Sequence, residues 1–141
     1  MSAEFIDSNV FVYLFDETDD HKRDTAERIV GSALQTHNAS ISFQVVQETL
    51  NVVTRKLPTP MTAEGAKRFM ERVLAPLWRV SPSSALYHRA LDVQARYRYG
   101  FYDSLIVAAA LDAGCNRLYS EDLRDGQRIE GLTIENPFRE L

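Results

Sequence analysis

A chain of 141 residues has the length of one ordinary domain. Hydrophobic residues make up 45% of it and charged residues 26%, which excludes the disordered, collagen-like and coiled-coil classes. The formal net charge of −4 argues against a protein that coats nucleic acid by bulk electrostatics, but it permits acids that hold a cation. We therefore expect a single globular domain over residues 1–141.

Two features that the sequence lacks, a pair of cysteines and an export or membrane segment, predict the cellular location of the protein. Its single cysteine, Cys115, excludes an intramolecular disulfide. The first residues contain neither the basic nor the apolar region of an export signal, and the longest apolar run, 105–111, is shorter than the ~20 residues that span a bilayer. We expect a cytoplasmic protein that is neither exported nor inserted in a membrane.

Apolar periodicity and turn residues predict that short strands alternate with helices. In chain order we expect a strand at 5–6, an apolar stretch over 10–15, a helix over 26–34, a strand over 39–42, a helix over 43–57, a helix from 62 to about 76, a strand over 77–80, a helix over 83–93, a buried helix over 105–111, and strands at 118–119 and 132–134. This order predicts an α/β fold with a parallel sheet covered on both faces. Such sheets bind ligands at the carboxyl ends of their strands, so the polar residues there are the candidates for a functional site.

Several common site motifs are absent. Neither G-x-G-x-x-G nor a complete P-loop occurs, which excludes the usual dinucleotide and nucleotide-phosphate sites. There is no G-x-S-x-G elbow, and His21, His37 and His88 lack the paired spacing of zinc ligands. Cys115 follows a predicted turn at Gly114 and is better explained as a small buried residue than as a nucleophile.

Four acidic residues lie where a strand-end site would be built. Asp7 ends the first strand, Asp122 follows the strand at 118–119, and Asp103 precedes the buried helix. Glu48 lies at the edge of the apolar face of the helix over 43–57. Taken singly, the aspartates are explained as turn or helix-cap residues and Glu48 as a solvated border residue. Taken together, they can converge on one rim of the sheet.

Converging carboxylates predict metal chemistry. They repel one another and raise one another's pKa, and a divalent cation removes that repulsion. A set of oxygen ligands suits Mg²⁺ or Mn²⁺ better than Zn²⁺. Two such ions about 3.5–4 Å apart activate a water and stabilise the leaving oxygen of a phosphodiester.

Basic and aromatic residues are interleaved over 96–102. These residues are Arg96, Tyr97, Arg98, Tyr99, Phe101 and Tyr102. The rings suit base stacking and the arginines suit phosphate contacts, but packing in the core explains the rings equally well and a solvated surface explains the arginines. Arg55 and Lys56 are further candidates for phosphate contacts, with the same alternative.

Four segments along the chain carry the acids in a recognisable order. They are Phe-Ile-Asp-Ser-Asn-Val at 5–10, Gln-Glu at 47–48, Phe-Tyr-Asp-Ser-Leu-Ile-Val-Ala-Ala-Ala at 101–110 and Leu-Tyr-Ser-Glu-Asp-Leu at 118–123. One Asp-x-Asn is a weak signal, whereas four segments in this order and spacing are specific. Over essentially its whole length the chain resembles PIN-domain ribonucleases, most of all the VapC-type toxins of bacterial and archaeal toxin–antitoxin modules.

This resemblance implies a three-layer α/β/α sandwich and an Mg²⁺- or Mn²⁺-dependent endoribonuclease that cuts single-stranded or loop RNA, leaving 5′-phosphate and 3′-hydroxyl ends. It assigns the catalytic, metal-binding role to Asp7, Glu48, Asp103 and Asp122, polar support to Asn9 and Ser120, and to Asp125 the place of an alternative fourth acid. It also implies a homodimer that a cognate antitoxin protein silences.

Two other functions compete with a nuclease. In a non-catalytic interaction module the carboxylates are caps, and the acidic rim binds a basic partner. A divalent-metal phosphatase that acts on small molecules needs a second aspartate two residues after Asp7, where Asn9 stands. Acids at all four positions favour the enzyme over the interaction module.

Overall fold

The computed structural model describes residues 3–139, and a sheet of six strands runs through the part of the chain that it describes. The strands are β1 (Glu4–Ile6), β2 (Ala39–Ser42), β3 (Trp78–Val80), β4 (Arg117–Tyr119), β5 (Arg128–Ile129) and β6 (Leu132–Glu135). The α-helices are α1 (Ser8–Tyr13), α2 (Asp20–Thr36), α3 (Phe43–Arg55), α4 (Ala63–Phe69), α5 (Ser84–Tyr97) and α6 (Phe101–Asp112). A π-helical turn at Met70–Leu74 and a 3₁₀ turn at Ala75–Leu77 join α4 to β3.

The order of the strands is β3-β2-β1-β4-β6-β5. All neighbouring pairs are parallel except β5 and β6, which are antiparallel. In the centre of the sheet Phe5 on β1 lies opposite Ser40 on β2 and Leu118 on β4. The chain winds outward from β1 to β3 and then starts again at β4 on the other side of β1. Between β1 and β4 the strand order therefore reverses, and ligands bind parallel sheets at such a point.

The helices pack on the sheet through the residues whose spacing predicted them. In α2 the buried residues include Ala26, Ile29, Val30 and Ala33, and α6 is buried continuously over 104–110. α5 packs along α6, and α1 packs against α2 and α3. Burial of apolar surface, worth roughly 25 cal/mol per Å², holds these layers together. Within residues 3–139 no helix has the length and apolar character needed to cross a membrane.

Most of the α-helices have a polar side chain as their N-terminal cap. The hydrogen-bonded cap residues are Asp7 for α1, Asp19 for α2, Ser42 for α3, Thr62 for α4 and Ser83 for α5. The predicted helix starts at Thr62 and Ser83 are thereby confirmed. α6 differs, because its N-cap residue is Gly100 and no side-chain hydrogen bond closes its first turn.

Apart from shifts of a few residues at helix ends, the structure departs from the predicted elements at three places. The apolar stretch over 10–15 belongs in part to a short helix, α1 (Ser8–Tyr13). The hairpin of β5 and β6 turns at Glu130 and Gly131, with Glu130 at a φ of 56°. The Asn-Gly or Asp-Gly pair that usually marks such a turn is absent, so the pattern did not predict β5. The α-helix that Thr62 begins ends at Phe69 rather than near Pro76. Pro76 has no N–H to donate to the preceding turn, and the chain completes this stretch in π-helical and 3₁₀ turns.

Candidate active site

Asp7 follows β1, and only 6% of its surface is exposed. Its Oδ1 accepts a hydrogen bond of 2.7 Å from the backbone N–H of Ser8, and its Oδ2 accepts one of 2.8 Å from the hydroxyl of Ser120. Burial raises the pKa of Asp7 to about 7, against the lowering effect of these two hydrogen bonds. The negative charges of Glu48 and Asp122 add to the increase. None of the ion pairs in the described part of the chain involves Asp7, so this buried carboxyl has no cationic partner there.

Glu48 reaches the same region from α3. The hydroxyl of Ser8 donates a hydrogen bond of 3.1 Å to Oε1 of Glu48 and lies 3.5 Å from Oδ1 of Asp7. Gln44, one turn earlier on α3, donates from Nε2 to Oε2 of Glu48 over 3.3 Å and to the backbone carbonyl of Tyr102 over 3.1 Å. Ser8 therefore links the two carboxylates, and Gln44 connects Glu48 to the first turn of α6.

Asp122 lies in the loop that follows β4. Asn9 donates from Nδ2 to Oδ2 of Asp122 over 3.2 Å, and its Oδ1 accepts from the backbone N–H of Glu121 over 3.4 Å. The Ser120 hydroxyl that binds Asp7 also accepts from the backbone N–H of Asp122 over 3.3 Å. Asn9 and Ser120 thus connect the loop after β4 to the start of α1.

Asp103 lies in the first turn of α6 and is half-buried. Burial raises its pKa, and the negative charge of Asp122 raises it further. The described hydrogen bonds include none from the side chain of Asp103, and Gly100 occupies the N-cap position. The helix-cap interpretation of Asp103 therefore has no hydrogen bond to support it, whereas its charge does interact with that of Asp122.

The acids predicted from the sequence fall into two networks. The first, the acid group, comprises Asp7, Glu48, Asp103 and Asp122 together with Asn9 and Ser120. Asp125 belongs to the second, where it accepts a hydrogen bond of 2.8 Å from the backbone N–H of Asn136 and pairs with Arg139. These contacts lower the pKa of Asp125. Asp125 is therefore engaged with the C-terminal segment and not with the acid group.

The chemistry of the acid group fits a hard divalent cation. Its donors are carboxylate, amide and hydroxyl oxygens, which suit Mg²⁺ or Mn²⁺ better than Zn²⁺. A cation beside Asp7 would favour the ionised form of its carboxyl, which burial disfavours. Among residues 3–139, no three His, Cys, Asp or Glu side chains are grouped closely enough to hold a metal ion. An ion shared by these acids therefore requires their side chains to approach one another.

Comparison with known proteins relates this site to a family. The model of the PIN domain family matches residues 5–130, a range that contains the whole acid group. The chain belongs to the PIN domain family. Comparison with curated protein sequences gives no significant match.

Solved structures share the fold of this PIN domain. A toxin–antitoxin complex from Klebsiella pneumoniae matches with a TM-score of 0.69 at 17% identity, over 99% of this chain and 100% of that chain. DNA-bound VapBC from Salmonella typhimurium gives 0.67 at 20% identity, over 97% and 99%. VapC20 from Mycobacterium tuberculosis, described as a sarcin–ricin loop cleaving toxin, gives 0.64 at 22% identity, over 85% and 90%. At these identities the likeness establishes the fold, and the predicted PIN-like α/β architecture is confirmed.

The PIN-domain site contains side chains that the sequence pattern did not single out. Ser8 is one of them, and its hydroxyl lies between the carboxylates of Asp7 and Glu48. Gln44 holds Glu48 from one turn away on α3. A Gln and a Glu four residues apart on a predicted helix are neighbours on its surface, so this spacing was an available signal.

A second set of contacts supports the loop that carries Asp122. Tyr13 donates its hydroxyl hydrogen to Oε1 of Glu121 over 2.5 Å, and Lys22 donates from Nζ to Oε2 of Glu121 over 3.0 Å and to the Tyr13 hydroxyl oxygen over 3.1 Å. The hydrogen bonds with Tyr13 and Glu121 raise the pKa of Lys22. No local pattern predicts this set, because Glu121 lies far along the chain from its two partners.

Proposed function

We propose that the protein, as a single PIN domain over residues 1–141, is a metal-dependent endoribonuclease that hydrolyses RNA phosphodiesters and is the toxin of a toxin–antitoxin pair. The observation that carries the proposal is the buried, unpaired carboxyl of Asp7 beside three further acids, at the point where the strand order reverses. A turn or helix cap needs one acceptor and no such accumulation of charge. PIN nucleases generally use divalent metals, and the donor chemistry of the acid group fits them.

Each acid has a task in this proposal. Asp7, Glu48, Asp103 and Asp122 would hold Mg²⁺ or Mn²⁺, and the ion would supply a water of lowered pKa and compensate charge on the leaving oxygen. Asp7 would bind the cation as the ionised carboxylate and would lose its proton to solvent, because only the ionised form is a good ligand. The hydroxyl of Ser120 fixes Oδ2 of Asp7 in one orientation throughout.

Glu48 is the acid best placed to orient water, since Ser8 and Gln44 hold its two oxygens from different elements. Its carboxylate accepts a hydrogen bond from the attacking water. The water passes one proton to Glu48 and through it to solvent, and its oxygen bonds to phosphorus in line with the bond from phosphorus to the 3′ oxygen, which breaks. The 3′ oxygen takes up a proton from solvent, so that no net proton is gained or lost, and the products are a 5′-phosphate and a 3′-hydroxyl.

The proposal also names partners. Structures that share this fold are described as toxin–antitoxin complexes, and one as a toxin that cleaves the sarcin–ricin loop. By extension we assign to this chain an RNA substrate, a cognate antitoxin protein, a homodimeric state and a cytoplasmic location. The family and the fold support these assignments, and the acid group has the chemistry that cleavage of RNA requires.

Cleavage of a mixed pool of structured RNAs tests the proposal. The purified protein is incubated with the pool in Mn²⁺, Mg²⁺ or EDTA, and the ends of the products are sequenced. The Asp7→Asn variant removes one charge of the acid group, and Asp125→Asn is the matched control outside it. We expect cleavage that needs the metal, persists in Asp125→Asn and is lost in Asp7→Asn. Cleavage that persists in Asp7→Asn or in EDTA contradicts the proposal.

The competing function is a non-catalytic PIN-like interaction module whose acidic rim binds a basic partner. One observation favours it, since Asp7 caps α1 through the N–H of Ser8, as a purely structural residue would. Asparagine also caps helices well, so Asp7→Asn leaves the fold of such a module intact. A well-folded wild type that cuts no RNA in either metal, yet binds a basic peptide through these acids, identifies the interaction module.

A further inference from the structure

The interleaved segment over 96–102 contains four aromatic rings, and these rings differ in their exposure to solvent. Tyr97, Tyr99 and Phe101 are partly buried and pack against the hydrophobic core. Arg96 lies over the ring of Tyr97, with its guanidinium carbon 5.6 Å from the ring centre. Tyr102 differs from the other three, because 69% of its surface is exposed.

Other exposed rings of the described chain have contacts that explain them. The indole N–H of Trp78, 39% exposed, donates a hydrogen bond of 3.0 Å to the carbonyl of Val80. Tyr87, 38% exposed, stacks on Phe101 with ring centres 6.3 Å apart. Tyr102 has one edge contact, at 5.6 Å to Phe101, and none of the described hydrogen bonds involves its hydroxyl. Its ring is thus held at one edge and remains available for a further contact.

The backbone of Tyr102 is fixed to the acid group. Its carbonyl accepts from Nε2 of Gln44, the same nitrogen that binds Glu48, and the next residue is Asp103. Neighbouring Cα atoms are ~3.8 Å apart, so the ring of Tyr102 starts one residue from a carboxylate of the proposed nuclease site.

The net charge of the protein bears on which kind of contact holds an RNA strand. At a net charge of −4, bulk electrostatic attraction between the protein and RNA phosphates contributes little affinity. Stacking of a base on an aromatic ring needs no positive charge and is indifferent to sequence. Unpaired bases are the part of RNA that is free to stack in this way.

We propose that Tyr102 is the stacking site for an unpaired RNA base next to the cleaved phosphate, which makes it a substrate-positioning residue. The inference rests on the proposed nuclease function and adds to it a residue that positions the unpaired strand. The ring holds the base, and the acid group one residue away acts on the adjoining phosphate.

Binding of a short single-stranded RNA that carries 2-aminopurine tests the stacking directly. The measurement is made in Mg²⁺ in the Asp7→Asn background, so that the RNA stays intact. Stacking on Tyr102 quenches the fluorescence of the probe, and Tyr102→Ala abolishes the quenching and weakens binding roughly 5- to 150-fold, the equivalent of one base–aromatic stack. Tyr102→Trp restores both. Leu91→Ala, which removes another exposed apolar side chain on α5, leaves both unchanged.

Kinetics separate this inference from the nuclease function itself. With Asp7 intact, Tyr102→Ala raises KM for unpaired RNA by a similar factor and changes kcat little, because the acids are untouched. RNA binding that depends on Tyr102, without cleavage in any metal, supports the stacking site and contradicts the nuclease. Binding equal to that of the wild type, or no RNA binding by any variant, overturns the stacking site. So does a Tyr102→Ala variant that binds RNA normally but loses dimerisation in sedimentation, since the ring then belongs to a protein interface.

Discussion

The hydroxyl of Ser120 donates a hydrogen bond of 2.8 Å to Oδ2 of Asp7, and both residues are buried at the carboxyl ends of β4 and β1. Of the contacts that favour the ionised form of Asp7, this bond has the largest effect, followed by the backbone N–H of Ser8. Burial raises the pKa of Asp7 by more than these hydrogen bonds lower it, so the pKa lies at about 7. Ser120 therefore keeps the ionisation of Asp7 within reach of neutral pH.

Replacing Ser120 with alanine is expected to move the pH dependence of metal binding upward. Without the hydroxyl, the pKa of Asp7 rises above about 7, so that at neutral pH the cation has to displace a proton from most of the molecules. Titration with Mn²⁺ at a series of pH values on both sides of neutrality measures this. We expect Ser120→Ala to bind more weakly than the wild type at neutral pH and to recover as the pH rises.

Ser83→Ala is the matched control for Ser120→Ala. Ser83 also uses its hydroxyl in a hydrogen bond, accepting from the backbone N–H of Leu86 over 3.1 Å to cap α5. Its loss lowers stability by about 1 kcal/mol and leaves the pH profile of metal binding in place. Identical profiles for Ser120→Ala and the wild type would show that Ser120 does not tune Asp7.

Asp7→Asn is expected to stabilise the metal-free protein at alkaline pH. The folded pKa of about 7 exceeds the ordinary 3.8, so the native state holds the proton more tightly than the unfolded chain does. The stability that this tighter proton binding contributes is fully present below the ordinary pKa of 3.8 and is lost as the pH rises through about 7. The difference is up to about 4 kcal/mol for this shift in pKa. Asparagine does not ionise, so Asp7→Asn removes this loss of stability at high pH, and the asparagine still caps α1.

Urea denaturation in EDTA, at a mildly acidic and a mildly alkaline pH, measures this effect. We expect the wild type to lose more stability between the two pH values than Asp7→Asn does, and Mn²⁺ at the alkaline pH to stabilise the wild type alone. Equal pH dependence in the two proteins would mean that Asp7 is ionised in both the folded and unfolded chains, and that its burial matters less than the structure indicates.

The local elements were predictable because their causes are local. The spacing of apolar residues predicts α2, and Thr62 and Ser83 mark the starts of α4 and α5. β5 has two residues and a turn with Glu130 in a left-handed conformation, so neither periodicity nor turn chemistry marks it. The prediction missed β5 because this strand is short and its turn lacks the usual residues as well.

The candidate site was predictable in its location and not in its contacts. The rule that parallel sheets bind ligands at strand ends brings Asp7 and Asp122 to one edge. The adjacency of β1 and β4 that joins them is a non-local pairing, which the sequence does not state. Asp122 and Asp125 lie three residues apart in one loop, and their contacts distinguish them, since Asp122 binds Asn9 whereas Asp125 binds Asn136 and Arg139.

Asp122 and Asp125 are expected to respond differently to the same substitution. Asp122→Asn removes a charge from the acid group, and we expect RNA cleavage to fall at least about 100-fold, as when a group that stabilises the transition state is removed. Asp125→Asn leaves the acid group complete, and we expect cleavage within roughly twofold of the wild type and a small loss of stability. Initial rates at saturating Mn²⁺ compare the two. The reverse ranking would make Asp125 the fourth acid.

The pairing of Lys22 with Glu121 is expected to protect the acid group from a fifth negative charge. Glu121 adjoins Asp122, and Lys22 and Tyr13 hold its carboxylate. Lys22→Met leaves that charge uncompensated, so the loop after β4 loosens and stability falls by about 1 kcal/mol. Because the harm comes from the unpaired carboxylate, the further change Glu121→Gln restores most of the stability and the cleavage rate.

A double-mutant cycle on Lys22 and Glu121 checks this by urea denaturation and by cleavage rate. Lys22→Met should be more harmful in the wild-type background than in the Glu121→Gln background, where no carboxylate is left unpaired. Arg23→Met is the control, since Arg23 pairs with Asp20 on the exposed surface of α2 and touches none of the acids in the group. Additive effects of the two substitutions would show that Lys22 acts through its packing on Tyr13 and not through the charge of Glu121.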